Sequence, residues 1–304
     1  MAQPFREPTA LARALASGLR AYGARSDVNW KRFTRLAKLA RAVHLKNGLT
    51  SVQLDADTRF IFPLGDHYWH GVFLGRVYEP VVDWLFRSIK DVPYALIDCG
   101  ANMGYWSLRV SGREFGAHKV AAIEAAKSNF DLLQNNARAN GERFTALHRA
   151  ISDRSGDTLK LYGKMHFGRS LNPGWHEGAE AHAEEVQTIT IDEVADRFLP
   201  GGGQPIVIKL DVEGVEVAAM KGGSKTIASG ALLVYEDHEK EAAHPASAHL
   251  LGMGDMEIWH RTRAGKLTKI HNLEQVAQAK IAAHDFFAYK RGARWSEVFS
   301  EGMH

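Results

Sequence analysis

The chain is 304 residues long, 45% hydrophobic and 24% charged with a formal net charge of +3, enough to bury a large core without disulfides or metal staples. Its single cysteine, Cys99, excludes a disulfide framework, a four-cysteine zinc site and a cysteine-ligated iron–sulfur cluster. No stretch reaches the roughly 20 consecutive apolar residues of a membrane span, and the start MAQPFREPTALARALASGLR lacks a continuous apolar run, so a cytoplasmic protein is expected.

Taken in chain order, residues 1–48 hold ten Lys/Arg against two acids, Glu7 and Asp27, so this segment carries about +8 and the remainder about −5. Leu36, Leu39, Ala40 and Val43 recur at helical spacing between Lys31, Arg32, Arg35, Lys38 and Arg41, which reads as a basic amphipathic helix. Two roles fit it: a solvated helix docked on the catalytic part or on a partner subunit, or a surface that meets anionic lipid or a phosphate-bearing substrate. Nucleic acid is not expected as a partner, because Trp30 and Phe33 are too few for a stacking platform and no nucleic-acid module accompanies the charge.

Residues 49–63, LTSVQLDADTRFIFP, read as two short strands around an Asp-Ala-Asp-Thr turn, and residues 79–90 as an amphipathic helix that Tyr78-Glu79-Pro80 either caps or links to a ligand. His67 and His70 share a helical spacing, more often a packed pair than a ligand set. Short apolar runs then follow at 94–98 (YALID), 119–124 (KVAAIE), 144–151 (FTALHRAI), 205–211 (PIVIKLD) and 231–236 (ALLVYE), separated by helical stretches. Continuous Val/Ile/Leu runs alternating with helices predict a doubly wound α/β fold whose parallel strands are covered on both faces. A helix near 244–252, the strand MEIWHR, the helix LEQVAQAKI and a last strand DFFAYK predict an antiparallel pair closing the sheet.

In such a sheet a ligand lies outside the carboxyl ends of the strands. The predicted ends are Asp98, Glu124, Ala150, Asp211 and Glu236, four of them acidic. The first strand runs into Asp98-Cys99-Gly100-Ala101-Asn102-Met103-Gly104, where glycine permits a tight turn, and Glu124 ends the next strand, placed to accept ribose hydroxyls. Asn102 stands where a diphosphate-binding G-x-G-x-x-G turn needs its middle glycine, which disfavours NAD and favours the methionine tail of S-adenosylmethionine. Gly222-Gly223-Ser224-Lys225-Thr226 has Ser224 where a P-loop needs glycine, which excludes ATP. Lys209 within the apolar strand is costly unless paired with Asp211 or Glu213. Asp211, Glu213 and His238 are candidate general bases for a hydroxyl that loses its proton as a methyl arrives. A divalent metal on Asp211, Glu236 and His238 is the rival reading of those residues and is not the expected one. His166, His176 and His182 fall in a polar insert between the third and fourth strands.

The segments LIDCGANMGYWSLRV (96–110), VAAIEAAKSNFDLLQNN (120–136), HRAISDRSGDTLKLY (148–162), TITIDEV (188–194), IVIKLDVEGVEVAAMKGG (206–223) and VYEDH (234–238) resemble, in order and spacing, the FkbM-type methyltransferases. The resemblance spans about residues 75–290, with Cys99 for a usual aliphatic residue and Ala125-Ala126 for a usual proline. It implies a class I, Rossmann-like, mostly parallel seven-stranded sheet, and the basic first 48 residues, outside the resemblance, read as an N-terminal helical extension. Residues 1–48 would be that extension, 49–78 a short strand and loop segment, and 79–304 the catalytic domain. It also implies S-adenosylmethionine held by Asp98, Gly100, Asn102 and Gly104 at the methionine end, Glu124 at the ribose, Ala150 and Ile151 by the adenine, and Asp211 by the sulfonium. Asp211, Glu213, His238 and Lys209 would serve catalysis. The expected activity is O-methylation of a hydroxyl on a sugar, a glycan or a small secondary metabolite; the alternative is a methyltransferase-like scaffold recruited through its basic arm.

Overall fold

A computed structural model of the chain describes residues 10–23, 31–32, 34–37, 39, 48–64, 66, 68–163, 170–171, 183–199, 203–237, 244–262, 264–280 and 284–301. The first two strands, β1 (Leu49–Gln53) and β2 (Arg59–Pro63), form the expected hairpin. Its free edge is completed by side chains of the helix Lys127–Ala139 and its end. Asn136 Oδ1 accepts from the Ile61 amide at 2.7 Å and its Nδ2 donates to the Ile61 and Met103 carbonyls at 2.8 Å, while Asn140 does the same for both backbone groups of Arg59. Two asparagines thus stand in for a missing strand and tie the hairpin to the turn after the first core strand.

The apolar runs become β3 (Ala95–Cys99), β4 (Lys119–Glu124) and β5 (Thr145–His148), followed by β6 (Ala150–Ile151), β7 (Thr158–Tyr162), β8 (Ala183–Ile189), β9 (Ile206–Leu210) and β10 (Leu232–Glu236). The chain closes with β11 (Met256–Arg261), β12 (Leu267–Ile270) and β13 (Asp285–Lys290). Eight strands share one sheet in the order β12-β11-β13-β10-β9-β3-β4-β5. The five from β5 to β10 are parallel, and β13 inserts antiparallel between β10 and β11. The sheet therefore has one strand more than the expected seven: a turn bonded from the Thr262 amide to the Lys266 carbonyl at 2.9 Å folds β12 back along β11.

FTALHRAI, read as one strand, is two. The Arg149 amide is shared between the carbonyls of Glu124 and Leu147, both at 3.2 Å, and past this kink Ala150 and Ile151 leave β4 to pair with β8 in a separate three-stranded sheet, β6-β8-β7. The third strand of the large sheet thus ends at His148, not Ala150.

Successive residues of the core strands alternate between two apolar layers. Leu96, Val207, Val234 and Phe287 face one, packed beneath the hairpin, and Ile97, Ile208, Leu233 and Phe286 face the other. The same period of two sends Asp98, Lys209, Glu236 and Asp285 to the first face, all at one end of the sheet. The helix Ala10–Gly23 packs Leu15, Ala16, Leu19 and Tyr22 on that layer, with the Arg20 guanidinium 4.8 Å above the Phe73 ring. Among the described residues no helix is long and apolar enough to cross a membrane.

Candidate active site

Strand order reverses between β3 and β9, and a crevice opens there at the carboxyl ends of the parallel strands. Its floor is backbone. Gly100 adopts φ 79°, and a Cβ at that position would lie 1.8 Å from the Asp211 carbonyl oxygen, so glycine is required by the neighbouring strand exit itself. Asn102 also sits in the left-handed region, φ 52°, which asparagine tolerates better than most residues. Its amide donates to Glu124 Oε2 at 2.8 Å, while Glu124 Oε1 accepts from the Ala126 amide at 2.7 Å. The Glu124 carboxylate thus clamps the turns after β3 and β4 together and lines the crevice wall. The Asn102 Oδ1 is buried with no hydrogen-bond partner among the described residues. Further along, Ala150 and Ile151 meet Leu161 and Leu171, forming an apolar slot partly roofed by the smaller sheet.

Asp98 does not line this crevice. It is 2% exposed, bonded by Ser107 Oγ at 2.5 Å and beside Lys209 across the strand register. Burial pushes its carboxyl up, against the opposing pull of Lys209 and Ser107. The Lys209 ammonium lies 3.2 Å from Asp211 and 3.6 Å from Glu79. Burial alone would lower its pKa, but the carboxylates of Asp211, Glu79, Asp98 and Glu236 together hold it well above the ordinary value. On the next strands Glu236 is pushed well up by burial and by Asp211, Glu79 and Asp285; Asp285 is pushed up to about 7 by burial and by Glu79, with Lys209 opposing both shifts.

Residues 98–252, just over half of the chain, match the methyltransferase FkbM domain. The chain belongs to this family. Among solved structures it is similar to an FkbM methyltransferase from Methylobacillus flagellatus KT, at 17% identity and a TM-score of 0.44 over 92% of this chain and 59% of that one. It is also similar to an O-methyltransferase from Bacillus cereus in complex with SAH, at 9% identity and a TM-score of 0.40 over 71% of this chain and 83% of that one. The chain thus spans 59% of the length of the Methylobacillus protein. No curated protein matches it.

The FkbM match takes in the turn after β3, Glu124 and the segment from Lys209 to Glu213, and leaves Tyr68, Glu79 and Asp285 outside. Of the expected site residues, Gly100, Asn102, Glu124, Ala150, Ile151, Asp211 and Glu213 line one crevice. Gly104, at φ 88°, instead shapes the turn from below, where a Cβ would meet Leu133 at 2.6 Å. One expectation needs correction: Asp98 lies beneath the turn, because it shares the inward face of Leu96. Lys209 is buried and paired with Asp211, as its place in the apolar strand requires. His238 falls outside the described residues, as do His67, His166, His176 and His182. Among the described residues no group of three or more His, Cys, Asp or Glu is arranged to hold a metal. Glu79 occupies the position before the helix Pro80–Ser88 at φ 44°, yet makes no capping bond; its carboxylate accepts from Trp106 Nε1 at 2.6 Å and faces Lys209. Tyr68, Asn129, Arg149, Leu161 and Leu171 also line the crevice and were not singled out in the sequence. Only Leu161 carried a local signal, the alternation of TLKLY.

Proposed function

We propose that this FkbM-family chain is an S-adenosylmethionine-dependent O-methyltransferase acting on a hydroxyl of a sugar, a glycan or a small secondary metabolite. The observation that carries the cofactor assignment is the buried, unpartnered Oδ1 of Asn102 beside the Glu124 carboxylate, where strand order reverses. An ammonium satisfies that oxygen, ribose hydroxyls donate to Glu124, and the slot of Ala150, Ile151, Leu161 and Leu171 accepts a flat apolar base. When bound, S-adenosylmethionine supplies a methyl group on a positively charged sulfonium. The acids Asp211 and Glu213 line the same crevice and favour a cation there. Asp211 is oriented by Lys209, and Glu213 is fixed through its carbonyl, which accepts from Ser170 Oγ at 2.6 Å. Catalysis in this reading is chiefly positioning of the acceptor oxygen against the methyl group, with proton removal a smaller factor.

The reading needs no divalent metal and places the protein in the cytoplasm, where Cys99 stays a buried thiol. Leu36 and Leu39 are exposed near the exposed Lys31, Arg32 and Arg35, which supports a peripheral contact of residues 1–48 with anionic lipid or a partner. Calorimetric titration tests the core of the proposal. Saturable binding of S-adenosylmethionine and S-adenosylhomocysteine, none of NAD, and no effect of Mg²⁺ are expected, with binding lost in Glu124→Ala. Absence of binding to the wild-type protein refutes it.

A further inference from the structure

At the amino ends of the parallel strands, the opposite end of the sheet from the crevice, lies a second cavity of about 900 Å³. Five neighbouring strands each bring one residue to its edge. Lys119 pairs with Ala95 and Ala95 with Ile206; the same row continues to Ala231, one step before Leu232, and to Lys290 at the end of β13. The row therefore reads cation, three apolar residues, cation. Four strand spacings of about 4.8 Å set its two lysines about 19 Å apart at the backbone. Lys225, Arg291 and Arg294 add three more cations, against one lining acid, Asp196. That sign runs against the surrounding chain, since residues 49–304 carry about −5.

Little commits these cations to the protein itself. Lys119 and Arg294 are exposed and form no ion pair among the described residues. Lys225 meets Asp196 at 3.1 Å with both side chains more than half exposed, and Lys290 meets Asp255 at 3.6 Å; exposed pairs of this kind are weak and exchange readily. Arg291 reaches Glu257 only at 3.9 Å, and that carboxylate already accepts from Lys269 at 2.7 Å. None of the described lining residues is aromatic, so nucleobases have nothing to stack on. We propose that this cavity binds a phosphodiester chain with uncharged, non-aromatic repeat units, as in a phosphorylated glycan. Its phosphoryl groups are held at the two cationic ends, where Lys and Arg supply charge-assisted bonds, and its carbon-rich units lie against Ala95, Ile206 and Ala231. The two sites share no lining residue, so the inference does not depend on what the crevice binds.

Calorimetric titration of the full chain with poly(glycerol phosphate), at fixed ionic strength, tests this. Saturable binding is expected, with glycerol 3-phosphate weaker by about tenfold or more, because a single phosphoryl group engages only one end of the cavity. Lys119→Glu and Arg294→Glu should each weaken the polymer by about tenfold, while Lys119→Arg and Arg294→Lys stay within about threefold of wild type. Both positions are exposed, so the charge reversals should unfold in urea as the wild type does. No binding to the wild type overturns the proposal, as does wild-type affinity in the two charge reversals. Equal affinity for inorganic polyphosphate of matched charge overturns the part given to the apolar middle of the row. Equal affinity for a single-stranded oligonucleotide of matched charge overturns the restriction to non-aromatic units.

Discussion

Replacing Lys209 by methionine keeps the reach of the side chain and removes a cation from a place where acids converge. The ammonium sits 3.2 Å from Asp211 and 3.6 Å from Glu79 with its side chain 6% exposed, and Asp98 and Glu236 act on it from the adjacent strands. Deleting one partner of a buried pair costs about 3–5 kcal/mol, because the remaining charges are neither solvated nor matched. That cost depends on pH with a fixed sign. Without Lys209 the folded-state acids are pushed further above their unfolded values, so the folded protein holds more protons than the unfolded chain and stability falls as pH rises. Lowering the pH protonates Glu236 and Asp285, both already pushed up, and relieves part of the repulsion. Urea unfolding followed by tryptophan fluorescence should therefore show the full deficit near pH 8.5 and a smaller one near pH 6. A Lys209→Met protein within about 1 kcal/mol of wild type at both pH values would refute the role of Lys209 as the counter-ion of this cluster.

Asp285→Asn should flatten the pH profile: with a folded pKa of about 7 against an unfolded value of 3.8, the wild type loses stability between about pH 4 and pH 7, and the neutral asparagine removes that loss in urea titrations. Ser107→Ala withdraws the hydroxyl that donates to buried Asp98 at 2.5 Å and should destabilise by about 1–3 kcal/mol. Since Asp98 does not line the crevice, Ser107→Ala should weaken S-adenosylmethionine binding less than Glu124→Ala does, as calorimetry would report. Gly104→Ala combines φ 88° with a contact of 2.6 Å to Leu133 and should cost about 1–3 kcal/mol, partly recovered in the Leu133→Ala background.

The central strands were legible because they are buried on both faces, so that composition alone marks them. The strand-end acids and the glycine turn were legible for a related reason: ligand sites in such sheets follow from topology. What stayed hidden depended on pairing at a distance. The strands β7 and β8 expose one face and carry Lys160, Glu184 and Glu185, so they read as a polar insert, and Ala150-Ile151 reads as a continuation of β5 until the bond at Arg149 shows the kink. Asp98 carried its own warning. Two residues after Leu96 it had to face the same layer, which places it under the turn rather than in the crevice. Nothing local linked Glu79 to Lys209, since that contact exists only once the segment ahead of β3 folds over the strand ends.

Where Gly100 meets the Asp211 carbonyl, two strand exits are butted backbone to backbone, with no room between them for even a methyl group. Such a floor has no hinge. Exchange of small molecules then falls to walls that arrive from elsewhere in the chain, among them Tyr68, Leu161 and Leu171. Residence time and chemical competence would accordingly be governed by different stretches of sequence, so that substitutions in the walls retune product escape while the reacting groups stay in register.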